Sequence, residues 1–298
     1  MREWSAEVTV DAELARRLIQ EQFNWEVGSL RLLGEGWDNT VWLVDERWTF
    51  RFPRRSVVVS GIENEIAVLP QLAPQLPLPI PNPTFVGRAT PAFEWPFYGS
   101  RFLPGRELAE AGLDDEALIA LARPLAEFLL ALHSTELDAE LPVDPIGRAD
   151  MAVRVPRTID FLDEVESLGL WHRPPVVSDL LAEARDLPAP QFTAIVHGDF
   201  HLRHLLVGDR GEPTAVIDWI DLCRNDPCVD LVLYWSALPP RGRAEFLEAY
   251  GALTEEQLLR GRVLALFLCA VLAVYGHHEG LPKLEREAIA GLERTSRE

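Results

Sequence analysis

At 298 residues, 48% hydrophobic and 25% charged, the chain has the length of one large or two modest domains and the composition of an ordinary folded protein. Its net charge of −19 speaks against binding nucleic acid, which needs clustered Lys and Arg. That charge suits a cationic small-molecule substrate drawn to an acidic cleft, and it equally suits solubility alone. No membrane partner is expected: the opening Met1-Arg2-Glu3-Trp4 lacks the apolar core of a signal peptide, and the longest apolar run, Val263 to Tyr275, is short for a bilayer and reads as a core helix. Cys223, Cys228 and Cys269 make no CxxC pair, so a reduced cytoplasmic protein, taken as a monomer, is expected.

In chain order, Asp11 to Phe23 opens on a capping Asp and sets Leu14, Leu18, Ile19 and Phe23 on one face of a helix. Strand-like runs follow at Leu30–Leu33 and Val41–Val44, separated by Gly34-Glu35-Gly36-Trp37-Asp38-Asn39. A third, Trp48–Phe52, alternates Trp48, Phe50 and Phe52 against Thr49 and Arg51. Ile62–Leu72 reads as a helix with Glu63 and Glu65 in its first turn. The five prolines between Pro74 and Pro83 mark an irregular connector. Phe97–Leu103 is a further strand, ended by Pro104-Gly105.

Beyond it the pattern turns helical. Leu118, Leu121, Leu125, Phe128 and Leu132 recur at helical spacing in one helix that Pro124 should kink. Asp160, Asp163, Glu164 and Glu166 form an acidic helix face, best read as solvated, and His277-His278 close the long apolar helix. The charged tail, Lys283 to Glu298, is expected to fray. Short strands at Ala194–Val196 and Ala215–Ile217 are each followed at once by polar residues, where functional loops usually sit.

Those loops hold the sharpest signal: His197-Gly198-Asp199-Phe200-His201-Leu202-Arg203-His204, then Asp218-Trp219-Ile220-Asp221, then Asn225-Asp226-Pro227-Cys228-Val229-Asp230. Phosphoryl transfer needs a carboxylate to orient and deprotonate an acceptor hydroxyl, a metal on the phosphates and a cation on the nucleotide. Two carboxylates on neighbouring loops can divide the first two tasks. A lone Asp after a strand is more often a turn former. The ordered set of three loops is what carries the reading.

These motifs resemble the aminoglycoside phosphotransferase and protein-kinase-like family, which also includes macrolide, choline and homoserine kinases. The resemblance runs over nearly the whole chain, although only the two carboxylate loops are specific. It implies a bilobal α+β fold, with a small sheet-rich nucleotide-binding lobe at 1–103 and a larger helical catalytic and substrate-binding lobe at 104–298. It further implies ATP or GTP as phosphoryl donor, bound between the lobes, Mg²⁺ as metal, and a small hydroxylated acceptor such as an aminoglycoside.

By position, the resemblance assigns Asp199 as catalytic base, His197 and Arg203 to the same catalytic loop, Asp218 to the metal, and Asp230 to bracing the loop. Gly34 and Gly36, between two strands, would let backbone approach phosphates, and Asn39 matches a residue of the same loop. Arg51 stands where many relatives carry Lys, with Glu65, or alternatively Glu63, as its partner. An edge-strand charge in solvent is the other reading of Arg51. Backbone around Ser100 and Phe102 would receive the adenine, unless this is an ordinary strand.

One departure stands out. Where the family has Asn as a second metal ligand, this chain has His204. Imidazole suits Mn²⁺ and other transition metals better than Mg²⁺. Three roles are open to it: holding a softer ion, hydrogen-bonding Asp199 or a phosphate while Asp218 keeps the magnesium, or marking a non-catalytic nucleotide-binding relative that acts as sensor or scaffold. The second is favoured because the acidic positions remain. A zinc centre of His197, His201 and His204 lacks the usual helical spacing.

Overall fold

The computed structural model describes residues 6–36 and 38–297, which leaves Trp37, the first five residues and Glu298 outside the described residues. The chain divides into two compact units, one reaching Pro74 and resuming at Pro79–Leu103, the other made of Gln75–Leu78 and the chain from Pro104 onward. The protein is α+β.

In the first unit α1 (Ala12–Phe23) starts where Asp11 accepts the N–H of Leu14 at 2.8 Å, satisfying one of the orphan donors of a helix N-terminus. The strands β1 (Leu30–Glu35), β2 (Asn39–Val44), β3 (Trp48–Pro53), β4 (Phe85–Gly87) and β5 (Phe97–Arg101) form one antiparallel sheet in the order β1-β2-β3-β5-β4. Alternation on β3 buries Phe50 and Phe52 against Leu18 and Ile19 of α1 and Phe97 of β5. The Phe52 and Phe97 rings stack at 4.6 Å. Gly99 makes room for this core, since a Cβ there would stand 2.6 Å from the Phe50 ring.

The same alternation carries Arg51 to the other side of β3, the central strand of the sheet, where it is buried near α2 (Val59–Leu72). It is therefore not a solvated edge charge. Because α2 starts three residues earlier than Ile62, Glu63 and Glu65 lie beyond its first turn. The proline-rich connector holds a single 3₁₀ turn at Ala73–Gln75, and β4 follows it as an edge strand too short to announce itself by alternation.

The second unit opens with β6 (Arg106–Glu107), α3 (Leu108–Ala111), α4 (Asp115–Ala120) and α5 (Ala122–His133). The expected single kinked helix is thus two, broken at Leu121, with Pro124 inside the first turn of α5, where its missing N–H costs nothing. Next come α6 (Met151–Ser167), α7 (Pro175–Arg185), β7 (Ala194–Val196), β8 (Leu205–Val207), β9 (Pro213–Val216), β10 (Cys223–Asn225), a 3₁₀ turn at Pro227–Asp230, and α8 (Val232–Ser236). The strands make two small sheets, β10-β7 and β6-β8-β9. Three helices end the chain, α9 (Pro240–Tyr250), α10 (Glu255–His278) and α11 (Pro282–Ser296).

Helix α10 is longer than the apolar run suggested. At 24 residues it is long and apolar enough to cross a membrane, yet 67% of its most apolar window is buried within the protein, against α6, α8 and α11. The acidic face of α6 is occupied locally: Asp163 and Glu166 pair with Arg173, and Glu164 faces His278 at 3.5 Å. Among the described residues, the tail expected to fray is helical from Pro282 to Ser296. Leu284, Ala288 and Leu292 pack inward, and Arg294 is drawn in as well, pairing with Glu287 and donating to the Ser236 carbonyl. Leu292→Ala is expected to lower the unfolding free energy by roughly 2–5 kcal/mol in urea titration, as for a core leucine; a frayed tail would leave the midpoint unmoved.

Candidate functional site

Two loops leave the small sheets of the second unit, one joining β7 to β8 (His197–His204) and one following β9 (Ile217–Asp221). Asp230, fully buried, fixes the first of them. Its Oδ2 accepts the N–H of His197 at 2.8 Å and its Oδ1 the N–H of Gly198 at 3.0 Å. The Nε2 of His133 lies 3.1 Å from Oδ2, and the other ring nitrogen of His133 lies 2.7 Å from the Tyr250 hydroxyl. Gly198 has φ +88°, and a Cβ there would stand 2.3 Å from the carbonyl oxygen of Asp221, so the turn admits only glycine.

The two loops are bonded to each other. His197 donates from Nε2 to the carbonyl of Ile217 at 3.0 Å and accepts the N–H of Asp199 on Nδ1 at 3.2 Å. Ile217 in turn donates its N–H to the carbonyl of His204 at 2.9 Å. Asp218 follows with φ +67°, a left-handed conformation unusual for a residue with a side chain.

His204 sits between the carboxylates. Its Nδ1 donates to the backbone carbonyl of Asp199 at 2.8 Å, an acceptor only, so in the neutral ring the lone pair is on Nε2, 3.6 Å from Oδ2 of Asp218. Burial, then the neighbouring His201, push its pKa down to about 3, so it is uncharged at neutral pH. His201 accepts the N–H of Arg203 on Nδ1 at 3.2 Å and stacks on His204 at 4.0 Å; its Nε2 stands 3.4 Å from Oδ2 of Asp199. Burial raises the pKa of Asp199, but His201 and the permanent charge of Arg148 outweigh it and hold this carboxyl well below the usual carboxylate range.

Asp199, His201 and His204 bring one ligand atom each within 4.8 Å of one another. The three-histidine zinc set is not assembled, because both ring nitrogens of His197 are engaged inside the loops. Arg203, expected in the catalytic set, is held by Glu107 of β6 in a two-pronged pair at 2.9 and 3.1 Å. It ties the loop to the sheet.

In the first unit Arg51 and Glu65 are brought together, 3.8 Å apart and both buried. Gly34 lies in β1, at a register shift between Leu32 and Gly34, and Gly36 donates its N–H to the carbonyl of Asn39 at 3.0 Å, closing the hairpin. Arg54 pairs with Glu35 at 2.7 Å and also donates to the Gly36 carbonyl. Asn39 is buried, and its side-chain oxygen has no partner among the described residues. Ser100 is buried in β5, its hydroxyl 3.1 Å from that of Thr49. Phe102 gives its N–H to the carbonyl of Arg47 at 2.9 Å, so that group is not available to a base.

Sequence reasoning missed His133, whose only signal was a histidine in the last turn of a helix. It also missed Arg148 and Arg154. Together with Asp199 they line a cavity of about 130 Å³.

Compared with known proteins, residues 29–265 match the model of the phosphotransferase enzyme family, APH. Over 225 residues the chain is 28% identical to the uncharacterized protein YcbJ of Bacillus subtilis (strain 168), covering 68% of this chain and 67% of that one. It is 26% identical over 182 residues to acyl-CoA dehydrogenase family member 10 of Mus musculus, of which the match spans 16%. Among solved structures, the GDP and kanamycin complex of APH(2")-IIia superposes with a TM-score of 0.65 at 25% identity, covering 94% of this chain and 97% of that one. The apoenzyme of macrolide 2'-phosphotransferase MphH from Brachybacterium faecium shares the fold, with a TM-score of 0.60 at 21% identity over 92% of this chain and 96% of that one.

The lowered pKa of His204 has a consequence for stability. The folded state favours the uncharged ring, so this contribution is complete above the unfolded value of 6.5 and is lost as pH falls from there toward about 3. Unfolding free energies from urea titration between pH 6.5 and 4.5 are expected to fall more steeply in the parent than in His204→Asn, by up to about 1.4 kcal/mol per pH unit. Parallel curves would contradict the assignment.

Proposed function

Since the chain belongs to the phosphotransferase enzyme family, we propose that it transfers the γ-phosphoryl group of ATP or GTP to a hydroxyl of a small-molecule acceptor. The observation that carries this reading is the coupling of the two carboxylate loops, in which His197 and His204 bind Ile217 from both sides and so hold Asp199 and Asp218 together. Relatives named for aminoglycosides and macrolides make hydroxyls of such compounds the first acceptors to assay.

Asp199 is the residue that meets the acceptor. Ionised throughout the neutral range, it accepts a hydrogen bond from the hydroxyl and aims its oxygen at phosphorus. Its low proton affinity makes it an orienting group first, taking the proton only as the oxygen–phosphorus bond forms. His197 positions Asp199 through the Asp199 N–H, and Arg203 positions the loop through Glu107.

The donor set fits a divalent cation. Asp218 offers hard carboxylate oxygens, and the Nε2 lone pair of His204 faces one of them at 3.6 Å. Asp218 would hold Mg²⁺, with His204 as the donor that also admits Mn²⁺; when bound, the ion neutralises charge on the phosphates. In the first unit Arg51, kept in place by Glu65, is the cation for the nucleotide phosphates, and the Gly34–Gly36 hairpin with Asn39 offers the backbone to cover them. Base recognition falls to the strand end around Ser100 and to groups of Phe102 other than its N–H.

Acceptor-dependent ADP or GDP release tests the proposal. Asp199→Asn is expected to lower turnover roughly 10²- to 10⁴-fold without weakening nucleotide binding; a variant as fast as the parent would sink the assignment. His204→Asn is expected to keep Mg²⁺-dependent turnover, and its complete loss would give the imidazole an indispensable role. Nucleotide binding without turnover on any acceptor would favour a non-catalytic nucleotide sensor.

A further inference from the structure

The cavity that Asp199 shares is lined by Arg148, Arg154 and Arg157, with Leu264 and Phe267 among its apolar walls. Three guanidinium groups around one carboxylate are unexpected in a chain of net charge −19. Arg148 is accounted for on one side only. Its Nη2 pairs with Asp221 at 2.6 Å, whereas its Nη1 is buried with no partner. Its backbone is fixed by Asp144, whose carboxylate accepts the N–H groups of Arg148 and Ala149 at 2.6 and 3.2 Å.

Arg154 stands beside it. It is 2% exposed, and among the described residues it makes no ion pair. Its Nε donates a long bond, 3.4 Å, to the carbonyl of Arg148, and its guanidinium lies 4.3 Å over the ring of Phe267. A guanidinium has five N–H donors, and stacking on a ring satisfies none of them. Arg157 adds a third charge, 5.7 Å from the same ring and otherwise exposed. Burial and then the repulsion of Arg157 and Arg148 pull the pKa of Arg154 down to about 10. Asp199, Asp221 and Asp144 offset part of this repulsion, while the buried Nη1 of Arg148 is left without a partner among the described residues, a donor that an anion in the cavity would meet.

We infer that this cavity is the acceptor subsite and that the acceptor is an anion, a small hydroxylated molecule whose carboxylate or phosphate is held by Arg154, Arg148 and Arg157 while its hydroxyl meets Asp199. This rests on the phosphotransfer reading and narrows it. It replaces the cationic acceptor suggested by bulk charge, because net charge is a sum over the whole surface and the cavity wall has the opposite sign. An aminoglycoside ammonium would meet guanidinium groups there. The carbon skeleton of an anionic acceptor would lie against Leu264 and Phe267.

Glycerol, glycerate and glycerol 3-phosphate share one skeleton and differ in charge, so they isolate the effect. Calorimetric titration of the full chain is expected to show glycerate, glycerol 3-phosphate or both binding at least tenfold more tightly than glycerol or kanamycin; which anion is preferred distinguishes the carboxylate from the phosphate. Arg154→Met should weaken that binding at least tenfold, and Arg157→Gln, at an exposed position where a substitution disturbs folding little, should weaken it several-fold. Both variants should leave nucleotide affinity unchanged. Equal binding of glycerol, binding of neither anion, or anion binding indifferent to both substitutions would overturn the inference. Release of ADP with kanamycin or glycerol that survives Arg154→Met would overturn it too, while leaving phosphotransfer standing. Arginine-dependent anion binding without ADP release from any acceptor would uphold the subsite and remove the phosphotransfer reading instead.

Discussion

The site depends on one buried carboxylate. Asp230 is wholly out of water, a position that would cost several kcal/mol per ion if its oxygens were left unmet. Two consecutive peptide N–H groups and His133 meet them. Peptide donors are fixed in direction by the backbone, so little side-chain entropy is lost in holding them. Because the donors belong to His197 and Gly198, the residue that follows, Asp199, leaves the clamp in a set direction. Gly198 completes the arrangement by passing close beneath the Asp221 carbonyl, where any side chain would collide.

A second constraint is the local sign of charge. Arg51 and Arg154 are buried in different ways. Arg51 is buried beside Glu65 on the far face of a sheet, an ion pair whose desolvation is met by proximity. Arg154 is buried against an aromatic ring and a backbone oxygen, with no ion pair among the described residues. The first guanidinium is answered by a carboxylate of its own unit, and the second by a ring face and a peptide oxygen.

Much of this was legible beforehand for a physical reason. Strand alternation at Trp48–Phe52 separated Phe50 and Phe52 from Arg51 correctly, because a period of two leaves no freedom once one face is buried. The polar loops after Ala194–Val196 and β9 stood out because short apolar strands cannot continue into His-Gly-Asp or Asp-Trp. What stayed hidden was set by contacts distant in sequence. His133 meets Asp230 across 97 residues, and Arg203 meets Glu107 across 96. Nothing in the local pattern around Ile146 to Arg157 marked a cavity wall. The tail misled for a simpler cause: its charge count hid an apolar stripe at Leu284, Ala288 and Leu292 that helical spacing reveals once the helix is granted.

The reciprocal bonds through Ile217 bear on how such a protein changes over time. Asp199 and Asp218 ride on a single stiff plate made of two loops and the β8–β9 ladder, so their spacing is not an adjustable quantity. On the proposed acceptor subsite, adaptation to a new acceptor would fall to the cavity walls, where Arg154, Arg157 and Phe267 lie outside the bonds that join the two loops. On that reading, a lineage built this way would diversify in substrate while inheriting one reaction geometry.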